Sequence, residues 1–141
     1  MNYKEFKEKQ AEEFNEFSKD NIIVILESTK EKALAKLESE GLTVEDIVNL
    51  GAGTYLKKEA VPEYEALVEK LDKEKHEYVL ANVYEAVNYE CWNYEIEISL
   101  SYTYSDVPSI LLGLTAEEIE EHKEEINKAF KDYKKEFYEL N

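Results

Sequence analysis

The chain has no arginine, one cysteine, two prolines, four glycines and no long apolar run. Each scarcity excludes something. A lone Cys91 cannot form an internal disulfide, which suits a reducing compartment. One cysteine and two histidines, His76 and His122, give no zinc-ligand spacing. The two histidines fall in separate predicted helices, so a cysteine nucleophile with a histidine base is not expected. No stretch approaches the ~18 apolar residues of a membrane-spanning helix. The opening MNYKEFKEKQ lacks the apolar core of a signal peptide, so a cytoplasmic location is expected. Positive charge is also short: 17 basic residues, all lysine, face 33 acidic ones, for a formal charge of -16. That balance argues against direct binding to nucleic acid or to an anionic membrane and favours a basic partner.

What is present is periodicity. Tyr3, Phe6, Gln10, Phe14 and Phe17 form one stripe of an N-terminal helix, assigned to residues 1–19. NIIVIL (21–26) is rich in β-branched residues and reads as a buried strand. Ser28 and Glu31 are placed to cap the next helix, and Gly41 to end it. GLTVEDI (41–47) and GLTAEEI (113–119) repeat one helix-start device. In each, threonine caps, an acid three residues on closes the box, and a leucine and an isoleucine staple it. IVNLGAGTYLKK suggests a short turn or hairpin around the glycines, Pro62 opens a helix to about Asp72, and HEYVLANVYEAVNYECW continues as helix. NYEIEISLSYTY (93–104) alternates strictly and is the strongest strand signal in the chain. A last helix is expected over 115–141, with Ile119, Ile126, Tyr133 and Leu140 seven apart. The sum is a single α+β domain over 1–141: a small antiparallel sheet, several amphipathic helices, and long helices at both termini.

Gly51 and Gly53 fit neither a dinucleotide-binding turn nor a P-loop. They read first as a turn. Lys57 and Lys58 just beyond keep open an anion-binding turn of Gly51, Gly53, Lys57 and Lys58. A second signal is a charge gap. No lysine occurs between His76 and His122, while acids are plentiful there. On the expected strand Glu95 and Glu97 would share a face about 6.5 to 7 Å apart, near the phosphate spacing of a nucleic-acid strand. Glu90 would extend that row, and with Glu85 and Tyr94 nearby it would make an acidic, tyrosine-rich surface able to compete for cationic side chains.

Residues 43–92 also resemble an uncharacterised family of small bacteriophage proteins. In that family an IxSxGAGGFxxK segment precedes an acidic–basic helix and a YExxNHEY segment. The matching residues are Ile47, Leu50, Gly51, Ala52, Gly53, Tyr55 and Lys58, then Tyr84, Glu85, Asn88 and Glu90. The chain departs at Thr54, where the family has glycine, and at Tyr89, where it has histidine. The resemblance implies phage origin and expression in a bacterial cytoplasm, and it implies no activity.

These readings converge on a non-enzymatic protein without metal or cofactor. The leading expectation is an inhibitor of a host defence protein, of anti-CRISPR or anti-restriction type. Its acidic surface would occupy a basic nucleic-acid-binding site. A second reading is a nucleotide binder with its phosphate at the glycine turn and its base on Tyr55, Tyr84 or Trp92. A third is a structural homo-oligomer joined through the terminal helices at Ile126, Phe130 and Tyr133.

Overall fold

A computed structural model describes residues 1–140; the last position of the helix expected over 115–141 lies outside the described residues. The elements run α1 (Tyr3–Asn21), β1 (Ile22–Val24), α2 (Lys30–Ser39), β2 (Ile47–Gly51), β3 (Thr54–Lys57), α3 (Val61–Ala81), α4 (Val83–Asn93), α5 (Ala116–Glu121) and α6 (Lys123–Leu140). A π-helical turn covers Val107–Leu111. The chain is 69% helical with one three-stranded antiparallel sheet, an α+β protein with long terminal helices.

Contacts sort the residues into two compact units. The larger comprises Met1–Lys7 and the chain from Asp72 onward; the smaller is Glu8–Leu71. In the larger unit α4 packs against α6. Val83, Ala86, Val87 and Cys91 from α4 meet Ile126, Ala129 and Tyr133 from α6, all buried. These positions recur at three and four residues, the spacing that puts one helical stripe into a core. Tyr133 is fully buried, with Trp92 edge-on at 4.9 Å and Tyr104 at 6.2 Å. Phe6 stacks on Tyr78 at 4.4 Å.

The smaller unit holds the sheet, ordered β1-β3-β2, beside a core of Ile23, Ile25 and Leu37. Phe14 and Phe17 contact Tyr64, and Gln10 Nε2 donates to the Leu71 carbonyl at 2.8 Å. The hairpin turns at Ala52 and Gly53, with φ of 51° and 78°. Positive φ at both central residues is the type I′ geometry that matches strand twist. Gly53 donates no Cβ; one placed there would meet the Ile25 carbonyl at 3.0 Å and the Leu26 side chain. Ile25 N–H bonds the Gly53 carbonyl at 2.8 Å, so the tight approach is part of the β1–β3 pairing.

The helix-start device works in both units. Glu118 accepts the Thr115 N–H at 2.9 Å while Thr115 Oγ1 accepts the Glu118 N–H at 3.2 Å. Asp46 accepts the Thr43 N–H at 2.8 Å, but only a three-residue 3-10 turn follows before β2. Gly41, at φ 74°, ends α2 with Gly41 N–H to Glu38 and Leu42 N–H to Leu37, a Schellman closure.

Four expectations need correction. The strongest strand signal is not a strand: α4 runs to Asn93, and Tyr94 to Ser105 is turns and bends. A second Schellman closure stops α4, with Glu95 N–H to the Trp92 carbonyl (3.2 Å) and Ile96 N–H to Cys91 (3.1 Å). Glu95 takes the left-handed position, φ 48°, that glycine normally fills, so the sequence carries no stop signal there. Ile96, buried beside Cys91, supplies the apolar closure. The alternating polar residues serve turns instead. Ser99 Oγ accepts the N–H groups of Ser101 and Tyr102, and Asp106 accepts the Thr103 N–H. Second, β1 is a three-residue edge strand whose Val24 is half exposed, not a buried strand. Third, Thr29, not Ser28, caps α2, its Oγ1 accepting the Lys32 N–H at 3.2 Å. Fourth, the C-terminal helix is broken at His122 into α5 and α6.

Candidate functional site

The residues assigned to an acidic surface divide into two kinds. Glu90 is 2% exposed. Its carboxylate receives Lys7 Nζ at 3.1 Å on both oxygens, the Tyr3 hydroxyl at 3.1 Å and Asn93 Nδ2 at 3.0 Å. Lys7 Nζ also lies 5.2 Å from the Tyr89 ring and 5.7 Å from the Tyr3 ring. Burial first, and the Glu90 charge second, push the Tyr3 hydroxyl well above its ordinary value. Burying a carboxylate is tolerable only with such a full set of partners. Glu85, in the first turn of α4, accepts the Tyr3 N–H. Both acids therefore tie the N-terminal residues to α4; Glu90 is buried in doing so, and Glu85 stays partly exposed. Tyr84, from the same segment, donates to Asp132 Oδ2 at 2.6 Å; that bond first, then burial, pushes its hydroxyl up to about 12.

Glu95, Glu97 and Tyr94 lie on the loop after α4, so the row of acids spaced along a strand does not exist. Glu95 is exposed at the left-handed position. Glu97 is half-buried, its N–H donating to Tyr133 Oη at 3.3 Å. The Tyr104 hydroxyl is pushed up by burial first and by the Glu97 charge second. Tyr94 is 39% exposed and packs edge-on to Tyr102 at 5.2 Å. The loop backbone is fixed further by Ile98 N–H to the Glu95 carbonyl at 2.9 Å.

The rest of the lysine-free span ends in α5. Glu117 and Glu121 are exposed there with no ion-pair partner among the described residues, as is Glu95 on the loop. Glu118 is instead engaged, 2.8 Å from His76 Nε2. Thr115 first, then His76, holds its carboxyl below the usual range.

The glycine turn spends its polar groups internally. Asn49 Oδ1 takes the Gly51 N–H at 2.7 Å, and the Gly51 carbonyl takes the Thr54 hydroxyl at 2.7 Å. Lys57 and Lys58 line a small depression with the carboxylates of Asp46 and Glu59, so their charge is locally offset. The turn and the lysines are not brought together as an anion cradle. Tyr55 packs against the smaller core, and Trp92 sits in the aromatic cluster of the larger one, each already occupied. Cys91 is buried, and burial first, then Glu90, pushes its thiol up to about 12, which suits a packing residue and not a nucleophile. No cluster of three metal-ligating residues occurs among the described residues. Ile126 and Tyr133 are buried and Phe130 packs on the core of its own unit, while Leu140, at the end of the same heptad, is 77% exposed.

Sequence reasoning missed Tyr3 and Lys7 as partners of Glu90. They stand 87 and 83 residues away, and no local pattern records such a pairing. The one usable signal was Glu90 itself, an acid three and four residues from the apolar core positions Val87 and Ala86 on the same helical stripe.

Residues 2–136 match the model of a family of unknown function, DUF7659, and the chain belongs to that family. No curated protein and no solved structure matches the chain significantly. No helix among the described residues is long and apolar enough to cross a membrane.

Proposed function

We propose, from a premise of family membership without an assigned activity, that this chain is a non-enzymatic binding protein whose acidic surface engages a basic partner. The observation that carries the reading is the span without lysine from Glu77 to Glu121, in which Glu95, Glu117 and Glu121 stay exposed and unpaired among the described residues. Acids left this way repel one another, and a cationic surface relieves that repulsion. The partner class is a host nucleic-acid-binding protein of a defence system, CRISPR or restriction, whose basic groove the chain occupies in the bacterial cytoplasm. Phage origin, carried by the resemblance at Ile47–Lys58 and Tyr84–Glu90, supplies the biological setting. Competition arises through charge on a loop and a short helix, not through phosphate-like spacing on a strand. Recognition of this kind gives fast, salt-sensitive association.

The test is an affinity pull-down of the tagged chain from bacterial lysate, with elution by salt and separately by duplex DNA. The expected result is a basic protein held at low salt and released by either. A variant with Glu95→Lys, Glu117→Lys and Glu121→Lys should lose it. Recovery of the same proteins by the triple variant would overturn the reading.

A further inference from the structure

The loop after α4 presents more than charge. Leu100 is fully exposed, at 103% of its reference area, and Ile98 is 62% exposed. They stand on either side of Ser99, beside Glu95, Glu97 and the half-open Tyr94. An aliphatic side chain alone on a surface is ordinary. Here two project from a backbone held at both ends: by the α4 closure with Ile96 buried, by Glu97 N–H on Tyr133, and by Ser99 Oγ on two amides. Side chains presented on a fixed backbone lose little freedom when a partner covers them.

We infer that Ile98 and Leu100 are the apolar anchors of the partner interface, seated in a depression of a lysine- and arginine-rich protein surface. The inference rests on the acidic-surface reading and assigns the work within it. The occupant is fixed by charge: the stretch around the anchors carries Glu95 and Glu97, and the nearest lysines in sequence are Lys75 and Lys123. A cationic rim around an apolar floor complements that arrangement, and an acidic or purely polar surface does not. The acids then govern encounter and salt dependence, and the aliphatic pair governs residence time.

The experiment measures association and dissociation kinetics against the purified basic protein released by salt and by DNA in the pull-down above. Ile98→Ser and Leu100→Ser together should speed dissociation about tenfold or more, with the salt slope unchanged. Glu95→Lys with Glu97→Gln should slow association and flatten the salt slope. Both aliphatic positions are solvent-facing, so the serine variant should keep the parent circular dichroism and melting temperature, and this is checked first. If the serine variant dissociates within twofold of the parent while the charge variant loses salt-sensitive association, the anchor assignment is wrong and the acidic reading stands. If neither variant changes the kinetics, or no basic protein is released, both fall.

Discussion

The two units of this protein are stabilised in different ways. Among the described residues the larger unit buries thirteen residues in one cluster, and the smaller buries three in its own. The larger unit is held by packing of α4 on α6 around Tyr133. The smaller unit leans on local devices: a type I′ hairpin, the Gly41 closure, the Thr43–Asp46 cap. Packing energy is spread over many side chains and is lost in large steps. Local devices contribute about 1 kcal/mol each and fail one at a time.

The sharpest way to break that contrast is Tyr133→Ala. It removes a fully buried ring and the acceptor of the Glu97 N–H, and should cost about 4 kcal/mol in urea unfolding. A loss under about 1 kcal/mol would mean that the larger core is not the main store of stability. Next comes Lys7→Met, which leaves the Glu90 carboxylate buried with only neutral donors. Removing one partner of a buried pair typically costs ~3–5 kcal/mol; with Lys7 about one-third exposed, about 2 kcal/mol is expected. The matching hydrophobic replacement of both partners, Lys7→Met with Glu90→Leu, should recover much of that loss.

In the smaller unit Gly53→Ala forces a Cβ against the Ile25 carbonyl at a positive φ and should cost about 1–2 kcal/mol. Hydrogen exchange sharpens the comparison. Amides of 22–57 should lose protection, while those of α4 and α6 keep theirs. Equal loss in both would erase the distinction between the units. Smaller again, and of opposite sign, is Glu95→Gly. It relieves a left-handed glutamate and should stabilise by about 0.5–1 kcal/mol, read as a raised melting temperature.

The smallest effect is acid dependence. The Glu118 carboxyl is held below its ordinary 4.5, by Thr115 first and His76 next. A depressed folded pKa contributes stability that is present above 4.5 and lost as pH falls through the folded value. Glu118→Gln should therefore lower the melting temperature slightly at pH 7 and converge on the parent as pH falls below 4.5, which flattens the acid limb of the profile. Its partner His76 is 42% exposed, so solvent screens the pair and the change is small.

Legibility in the sequence followed the range of the interactions. The α1 stripe is a local periodicity, and the GLT device, the Gly41 stop and the hairpin at Ala52–Gly53 are contacts within a few residues, so their residue types announce them. Period two at Tyr94–Tyr104 misled because alternation records side-chain polarity, not the presence of a pairing strand. A helix stop built on glutamate leaves no mark. The acids of the candidate surface were visible as a composition, but Glu85 and Glu90 could be set apart from Glu95 only by knowing that Tyr3 and Lys7 reach them.

The sequence by itself therefore determined the α+β class, the presence of the terminal helices, the turn chemistry and the acidic, lysine-free span, because propensity, capping and charge act locally. Tertiary structure decided which acids are counter-ions and which are surface, and that residues 94–105 form an ordered loop exposing Ile98 and Leu100. Those outcomes depend on burial and on partners 36 to 87 residues away, where desolvation outweighs any local preference.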